Sequence, residues 1–368
     1  MPGALEGCRV LEQGASVAVS VLGMLLADQG AEVVKVEPPT GDPLRGHPAF
    51  SVWNRGKMSV VLNSHASGDD GFFTELVRTS DVLIADGASG AGAPGIGYED
   101  IVATNAGIVY VSIPAFIDGS DHEAPAAWET VVGASTGVYA DRSSDEADGP
   151  SFIALPYVSI FAAFVAAPAV TAALFHRART GEGQKVTVPL YDSMFTAMGA
   201  SLVDRPDLPS GPAVLSPVVE RFYLCKDGRW VNINAGFERA LRPLLDAIGH
   251  PDWYGPLTNP MLRDDAEQRR EWSGRFASVW KERTAVEWED VMERAGVPCT
   301  MCRTIEEWMD TAHARESEAV IGLDDPLHGP MRQVGVQVRL SETPGRVRGP
   351  APSLGEHTEV VIASLSSR

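Results

Sequence analysis

The chain has 368 residues, 44% hydrophobic and 21% charged, and its 30 Lys and Arg against 49 Asp and Glu give a formal net charge of −19. This is the composition of a globular protein with ample material for a core, which excludes a wholly disordered chain. The negative charge disfavours binding to nucleic acid or to an anionic membrane surface. The apolar run at 160–175 is shorter than the about 20 residues of a membrane-spanning helix. Four cysteines and an N-terminus unlike a secretion signal indicate a reduced, cytoplasmic protein.

The first 115 residues have the pattern of a parallel sheet covered by helices. Residues 9–13 predict a short strand, 19–30 a buried helix that ends at a glycine, and 31–39 a second strand stopped by prolines. Together they form a β-α-β unit. Two further apolar strands are predicted at 81–85 and 108–113.

The second half of the chain begins after an acidic loop at 141–150. A long apolar helix follows and ends at Gly181, and Pro168 inside it should kink it. From about residue 210 the sequence pattern changes. Residues 222–233 predict a hairpin with a Lys-Asp-Gly turn, and helices rich in Trp and charged residues follow. This part is interpreted as a smaller second domain.

Three motifs suggest chemistry and each has a plainer explanation. Ser135 lies in a Gly-x-Ser-x-Gly sequence, but the strand that a hydrolase nucleophile needs just before it is missing, so a small residue at a helix terminus is expected. Cys299 and Cys302 have redox or metal spacing without a second pair or clustered histidines, so we expect a structural role and no metal. The loop at 14–19 lacks the glycines of a dinucleotide site, which argues against NAD.

A compact basic turn, Asn54-Arg55-Gly56-Lys57, follows the first β-α-β unit. Its Arg and Lys could hold phosphates through charge-assisted hydrogen bonds. A solvated surface turn is the other interpretation, and the turn alone does not decide between them.

The order of segments resembles the family III CoA-transferases, which include formyl-CoA transferase, carnitine CoA-transferase and α-methylacyl-CoA racemase. The matching blocks are LADQGAEVVKVE (26–37), NRGK (54–57), GYED (97–100), RTGEGQ (179–184), AGVPC (295–299) and GPAPSLGEHT (349–358). The resemblance implies an α/β fold with a Rossmann-like large domain at 1–209, a smaller α+β domain at 210–325 and a C-terminal segment at 326–368 that packs back on the large domain. It also implies a dimer of two chains interlocked as rings.

The resemblance implies acyl-CoA as the substrate and an Asp as the nucleophile. Counting back from the RTG block, that Asp falls on Ser159. A serine could form at most an ester, which is far less reactive towards thiolate than the anhydride formed by a carboxylate. The racemase branch uses a His and an Asp, and these fall on Trp128 and again on Ser159. The neighbouring Glu129 matches an acidic residue common in the family and is a candidate base.

The positions that match CoA contacts in the family are also altered. The small turn after the first strand has Ala18 in it, and the Asn of an Asn-aromatic pair is replaced by Asp86, which would repel a phosphate. Arg45, Arg55 and Lys57 are the basic candidates for contacts with the nucleotide end of CoA. These changes on a chain of net charge −19 predict weak CoA binding or none at a site built by this chain alone.

The leading hypothesis is a degenerate subunit of a heteromeric CoA-transferase, paired with a related chain that supplies the Asp, as in the two-subunit members of the family. A second hypothesis is a self-sufficient enzyme, homodimeric, that acts on acyl-CoA with Glu129 or Ser159. A third is a binding or scaffold protein that kept the fold and lost the chemistry. A serine hydrolase that uses Ser135 is the fourth.

Overall fold

The structure is a computed structural model that describes residues 2–63, 69–86, 97–117, 129–139, 150, 152–199, 218–259, 262 and 265–366. The chain divides into two compact units, one of residues 1–203 with 312–368 and one of residues 204–311. The domain limits predicted from the sequence, 209/210 and 325/326, stay a prediction.

The first unit is built on a six-stranded, wholly parallel sheet with the order β3-β2-β1-β4-β5-β6. Its strands are β1 (Arg9–Gln13), β2 (Glu32–Glu37), β3 (Met58–Val61), β4 (Val82–Ala85), β5 (Val109–Ser112) and β6 (Gln184–Thr187). Successive residues of a strand point to opposite faces of the sheet. Val10 and Leu11 belong to different core clusters, so both faces of the sheet are covered. The expectation of a parallel α/β sheet is confirmed.

The helices of the first unit lie mostly in the connections between these strands. They are α1 (Val17–Asp28), α2 (Phe50–Trp53), α3 (Asp69–Arg78), α4 (Tyr98–Thr104), α5 (Glu129–Ser135), α6 (Tyr157–Thr180) and α7 (Leu190–Ala197), with a short 3-10 helix at Pro43–Gly46. Helix α1 is buried along almost its whole length and packs with α6 in the larger core cluster. Ser16 caps its N-terminus by accepting a hydrogen bond from Val19 N–H.

Helix α6 is the longest described helix, and it carries Pro168 in its interior. Gly181 ends it in the left-handed conformation, with φ of 81°, as the sequence predicted for this helix terminus. By length and composition alone α6 is apolar enough to cross a membrane, a criterion that core helices also meet. Its buried side chains, among them Ala162 and Val170, pack in the core of the first unit.

The C-terminal segment belongs to the first unit, as the resemblance implied. It contains part of an antiparallel hairpin, β11 (Gly329–Val334), and α14 (Thr358–Ser366). The residues just before it belong to the same unit and form α13 (Ala312–Glu316) and β10 (Val320–Asp325), the strand that pairs with β11. Hydrogen bonds fix the C-terminal segment to β3; among them His357 N–H donates to Ser59 O at 2.9 Å, and Val61 N–H donates to Thr358 Oγ1 at 3.0 Å.

The second unit consists of a small antiparallel sheet and helices. The sheet has the order β7-β8-β9, with β7 (Glu220–Leu224), β8 (Trp230–Asn234) and β9 (Cys299–Met301). The helices are α8 (Glu238–Ala247), α9 (Tyr254–Leu257), α10 (Ala266–Trp280), α11 (Ala285–Ala295) and α12 (Ile305–Met309), with a 3-10 helix at Pro251–Trp253. The predicted hairpin is confirmed, and Gly228 in its turn has φ of 76°. A separate core cluster forms around Phe276, Trp280 and Trp288.

Candidate functional site

Helix α5 and the first turn of α6 bring together the two residues predicted from the sequence as catalytic. One Glu129 carboxylate oxygen accepts a hydrogen bond from Val158 N–H at 2.7 Å, and the other accepts one from Ser159 N–H at 2.8 Å. The first N–H groups of a helix have no partner within it and carry the positive end of its dipole. Pro156, at the N-cap, makes no side-chain hydrogen bond to them. Glu129 therefore serves as the anion that stabilises this end of α6.

The pair offers a carboxylate and a hydroxyl at one helix end. Ser159 is 3% exposed and Val158 is 1% exposed, so this turn of α6 is part of the core of the first unit. Each carboxylate oxygen of Glu129 keeps a second lone pair beyond the bond that it already accepts. A carboxylate can act in proton transfer, and a hydroxyl can act as a nucleophile in acyl transfer. The catalytic roles of Ser159 and Glu129 stay a prediction.

Tyr139 is a neighbour of Glu129 that the sequence reasoning did not identify. Burial, and then the negative charge of Glu129, raise the pKa of the Tyr139 hydroxyl above its usual value. Gly133 provides the space for it, because a Cβ at this glycine would lie 2.8 Å from the Tyr139 oxygen. The tyrosine ring also contacts Phe152, with ring centroids 5.8 Å apart. No sequence motif could have linked Tyr139 to the site, since a tertiary contact creates the link.

Ser135 is the last residue of α5, as expected for a small residue at a helix terminus. Its hydroxyl donates to Val132 O at 2.8 Å, a local bond within the same helix. A hydrolase nucleophile instead stands on a sharp turn between a strand and a helix. The geometry gives the hydrolase hypothesis no support.

The loop that follows β1 is closed by a side chain from the end of β4. The Asp86 carboxylate accepts hydrogen bonds from Ala15 N–H at 2.6 Å and from Ser16 N–H at 3.2 Å. Burial raises the pKa of Asp86, and the hydrogen bonds from Ser16 and Ala15 and the charge of Lys35 offset only part of that effect. The predicted CoA-contacting position Asp86 thus binds the chain's own backbone.

Arg55, one of the predicted basic contacts, is 1% exposed and fully engaged inside the first unit. It forms a bidentate pair with Asp28, with N–O distances of 2.6 and 3.2 Å. It also donates to Gly335 O at 3.2 Å and to Val334 O. The arginine therefore joins α1 to the C-terminal segment. A contact with CoA phosphate would require these bonds to break.

Lys57, the second basic candidate, is also buried. Its ammonium donates to Glu12 at 2.7 Å and to Ser20 O and Asn54 Oδ1 at 2.9 Å each. Burial lowers the pKa of Lys57 to about 8, although the charge of Glu12 opposes this. Its three donors already have three acceptors, so the free cation that a phosphate contact needs is not present in this state.

Arg45, the third basic candidate, is partly accessible. Its guanidinium forms a bidentate pair with Glu37 at 2.5 and 2.7 Å and donates to Pro352 O at 3.1 Å. It also lies over the Phe50 ring, 4.8 Å from the centroid, and lines a cavity of about 700 Å³. Arg45 is therefore the most accessible of the three basic candidates.

The other predicted site positions contribute less. Ala18 is fully buried on α1, packed in the core. Trp128 and the residues at 87–96 lie outside the described residues. The roles of Ala18, Arg45, Arg55, Lys57 and Asp86 in CoA binding stay predictions.

The two cysteines with redox spacing lie on and after β9. Burial raises the pKa of Cys299 to about 12, and burial also raises the pKa of Cys302. A raised pKa disfavours the thiolate, which is the form that binds metal and reacts with oxidants. Among the residues that the structure describes, no group of three His, Cys, Asp or Glu could hold a metal ion.

Comparison with known proteins matches residues 5–358 to the family model described as CoA-transferase family III. The chain is 28% identical to the succinyl-CoA–D-citramalate CoA-transferase of Chloroflexus aurantiacus, covering 99% of this chain and 94% of that protein. It is 30% identical to the succinyl-CoA:mesaconate CoA-transferase of Haloarcula hispanica, covering 96% and 94%. The crystal structure of Rv3272 from Mycobacterium tuberculosis is 25% identical with a TM-score of 0.81, covering 98% of this chain and 99% of that one.

Proposed function

The chain belongs to CoA-transferase family III, and we propose that it is a supporting subunit of a heteromeric CoA-transferase whose nucleophilic Asp is supplied by a related chain. The complex would move CoA from an acyl-CoA to a free carboxylate. Two relatives are named as succinyl-CoA-dependent transferases, so succinyl-CoA is the first donor to test.

The observation that carries the proposal is the first turn of α6. By the family resemblance, the nucleophile position is Ser159. Among the residues that the structure describes, the carboxylate hydrogen-bonded to this turn is that of Glu129, which already accepts the Val158 and Ser159 N–H groups. Moving Glu129 out to attack a thioester would leave those two N–H groups without their acceptor inside the core, a cost of about 1–3 kcal/mol for each. A catalytic carboxylate from another chain avoids this cost.

The reaction explains why a carboxylate is needed. In the family mechanism an Asp oxygen attacks the thioester carbonyl, the C–S bond breaks, and CoA leaves as thiolate while a mixed anhydride forms. The thiolate then attacks the Asp carbonyl of the anhydride, which releases the first acid and leaves CoA on the enzyme as a thioester. Attack by the acceptor carboxylate and return of the thiolate complete the transfer. A serine ester would stop this sequence, because an ester is far less reactive to thiolate than an anhydride.

The test begins with the protein expressed together with its neighbouring genes. Native mass spectrometry would be scored for a second chain of similar mass and for bound CoA species. The isolated chain and the complex would then be assayed with succinyl-CoA and with D-citramalate or mesaconate as acceptor. The proposal expects transfer by the complex and only background rates from the isolated chain.

Variants of this chain sharpen the test. In the complex, Ser159→Ala is expected to leave kcat within about twofold of wild type, since the hydroxyl takes no part in the chemistry. Its matched control is the corresponding Asp→Ala change in the partner, which should abolish transfer. Family-like rates from the isolated chain, or loss of activity with Ser159→Ala, would overturn the proposal.

A second candidate is a self-sufficient acyl-CoA enzyme that uses Glu129 as a base. It is favoured by the contact of the Glu129 carboxylate with the Ser159 N–H group, because a carboxylate can act as a general base. This candidate predicts exchange of the α-proton of an acyl-CoA with deuterium by the isolated chain, abolished by Glu129→Gln. Absence of exchange, with neither a partner nor CoA found, would favour the scaffold hypothesis instead.

A further inference from the structure

We propose that Asp86 is a built-in anion that occupies the backbone donors of the loop after β1 and so keeps anionic ligand groups away from this edge of the sheet. The inference rests on the proposed function in one respect: the ligand considered is CoA, which carries several phosphate charges. It concerns this chain alone and does not depend on a partner.

The fold places the loop where an α/β sheet binds ligands. Strands β1 and β4 are adjacent, and from them the chain proceeds outwards in opposite directions, to β2 and β3 on one side and to β5 and β6 on the other. Ligands of open α/β sheets bind at the carboxyl ends of the strands at such a switch point. Gln13 is paired with Ala85 in register, so Gly14 and Asp86 come directly after two paired residues at this edge.

The contact between the loop and Asp86 is close and uses both carboxylate oxygens. Oδ2 lies 2.6 Å from Ala15 N and Oδ1 lies 3.2 Å from Ser16 N. Consecutive backbone N–H groups that converge on one point form an anion-binding concavity, and here the anion is a side chain of the same protein. Asp86 therefore occupies the Ala15 and Ser16 donors.

The sequence of the loop permits this approach. A Cβ on Gly14 would lie 2.8 Å from the Asp86 carboxylate, too close for any other residue at position 14 without displacing Asp86. On its other side the loop is fixed by Lys35, whose ammonium donates to Gly14 O at 3.1 Å and to Glu12 at 3.0 Å. The glycine and the lysine together hold the loop against the carboxylate.

The charges around the loop also disfavour an anionic ligand. Lys35 is the cation nearest to the loop in these contacts, and it is paired with Glu12 and with Asp42, the latter at 2.7 Å. Its positive charge is therefore neutralised by two carboxylates before Asp86 is counted. A phosphate brought to the Ala15 and Ser16 N–H groups would meet the like charge of Asp86 on donors that Asp86 already occupies, so it would be repelled. Removing the Asp86 charge is expected to lift this repulsion.

The experiment is a calorimetric titration of the full chain with CoA and, separately, with pantetheine, which lacks the phosphates. Asp86→Asn removes the charge and keeps an oxygen that can accept the loop hydrogen bonds, and Asp86→Ala frees the donors. Asp324→Asn is the matched control, because Asp324 is an exposed aspartate on β10 of the same unit. Circular dichroism would confirm that each variant is folded.

The proposal expects Asp86→Asn to bind CoA at least about tenfold more tightly than wild type, with pantetheine binding unchanged and Asp324→Asn like wild type. Equal CoA affinity in wild type and Asp86→Asn would overturn it. An equal gain for pantetheine would also overturn it, since the effect would then be steric rather than electrostatic. If neither variant folds, the wild-type titration decides: a dissociation constant for CoA below about 10 µM would overturn the proposal, and no saturation at millimolar CoA would support it.

The two proposals fail separately. Transfer by the isolated chain would remove the supporting-subunit proposal whatever the titration gives. Tight CoA binding by the isolated wild-type chain would remove the role of Asp86, while the complex could still take its nucleophile from the partner.

Discussion

The pair formed by Glu37 and Arg45 links the end of β2 to the C-terminal segment and makes stability sensitive to acid. Burial alone would raise the pKa of Glu37, but hydrogen bonds from Arg45 and Ser59 outweigh burial and hold the pKa below its usual value. A carboxylate with a depressed pKa stabilises the folded state at pH values above its pKa in the unfolded chain. That contribution is lost as the pH falls through the lower, folded-state pKa.

Glu37→Gln is expected to lower the free energy of unfolding by about 2 kcal/mol at pH 7, because Arg45 and Ser59 lose a charged partner. The difference from wild type should be constant above about pH 5, beyond the ordinary pKa of a glutamate, and should shrink as the pH falls through the lower, folded-state pKa, where wild-type Glu37 takes up a proton. Urea denaturation at several pH values measures both effects. Glu182→Gln, an exposed residue after α6, serves as control and should change little. A difference independent of pH would contradict the assigned role of the charge.

At the scale of single residues, the sequence predicted which residues lie together at the candidate site better than it predicted which groups each residue contacts. Counting back from the RTG block selected Ser159, and the match to an acidic residue of the family selected Glu129; the structure places the Glu129 carboxylate against the Ser159 N–H group. The same reasoning proposed Arg55 and Lys57 as ligand contacts, whereas both are buried with internal acceptors. The pattern of a basic turn cannot tell a solvated cation from a buried one, because burial is decided by distant segments such as residues 333–335.

At the scale of elements, two glycines test how tightly neighbours constrain the backbone. Gly274 lies on the exposed side of α10, and nothing lies within 4 Å of an added Cβ. Gly183 precedes β6, where an added Cβ would lie 2.0 Å from Ile108 O at the start of β5. Gly274 therefore lowers the stability of its helix, whereas Gly183 is required because two strands approach each other closely at this point.

Gly274→Ala is therefore expected to raise the free energy of unfolding by about 0.5–1 kcal/mol, since alanine loses less backbone entropy in a helix. Gly183→Ala should lower it by about 1–3 kcal/mol, because backbone atoms must move to relieve the clash. Chemical denaturation followed by circular dichroism compares the two variants with wild type. Equal effects of the two substitutions would refute the distinction.

Elements with a strong local sequence pattern were predictable, whereas strands defined mainly by their hydrogen bonds to a neighbouring strand were not. The unit β1-α1-β2 and the C-terminal end of helix α6 were predicted within a few residues from apolar runs, glycines and prolines. Strands β3 and β6 were not predicted, and β6 reads Gln-Lys-Val-Thr, which has no apolar run. Their identity comes from hydrogen bonds to β2 and β5, which the local sequence does not contain.

At the scale of the whole molecule, the net charge of −19 is combined with cations that are paired internally at the candidate site. Arg45, Arg55 and Lys57 each bind a carboxylate of this chain, so none adds a free positive charge to attract CoA. We therefore expect the cations that bind the CoA phosphates to come mainly from the partner chain. This expectation agrees with the supporting-subunit proposal.

The two units differ in autonomy. The core of the first unit includes residues from both ends of the chain, whereas the second unit is continuous in sequence and has a core cluster of its own. Within it, Arg229 pairs with Glu307 at 2.6 Å, and Trp288 Nε1 donates to Trp280 O at 2.9 Å. A continuous segment with a closed core and internal pairs has what independent folding requires.

We accordingly expect a fragment of residues 204–311 to fold alone and to unfold cooperatively, because its buried Trp280, Trp288 and Phe276 pack against residues of the same segment. Near-ultraviolet circular dichroism and urea denaturation would measure this. Gly274→Ala supplies the control: if the unit is autonomous, the substitution raises the free energy of unfolding of the fragment by the same increment as for this unit in the full chain. A fragment without a cooperative transition, or a different increment, would mean that the second unit depends on the first for its stability.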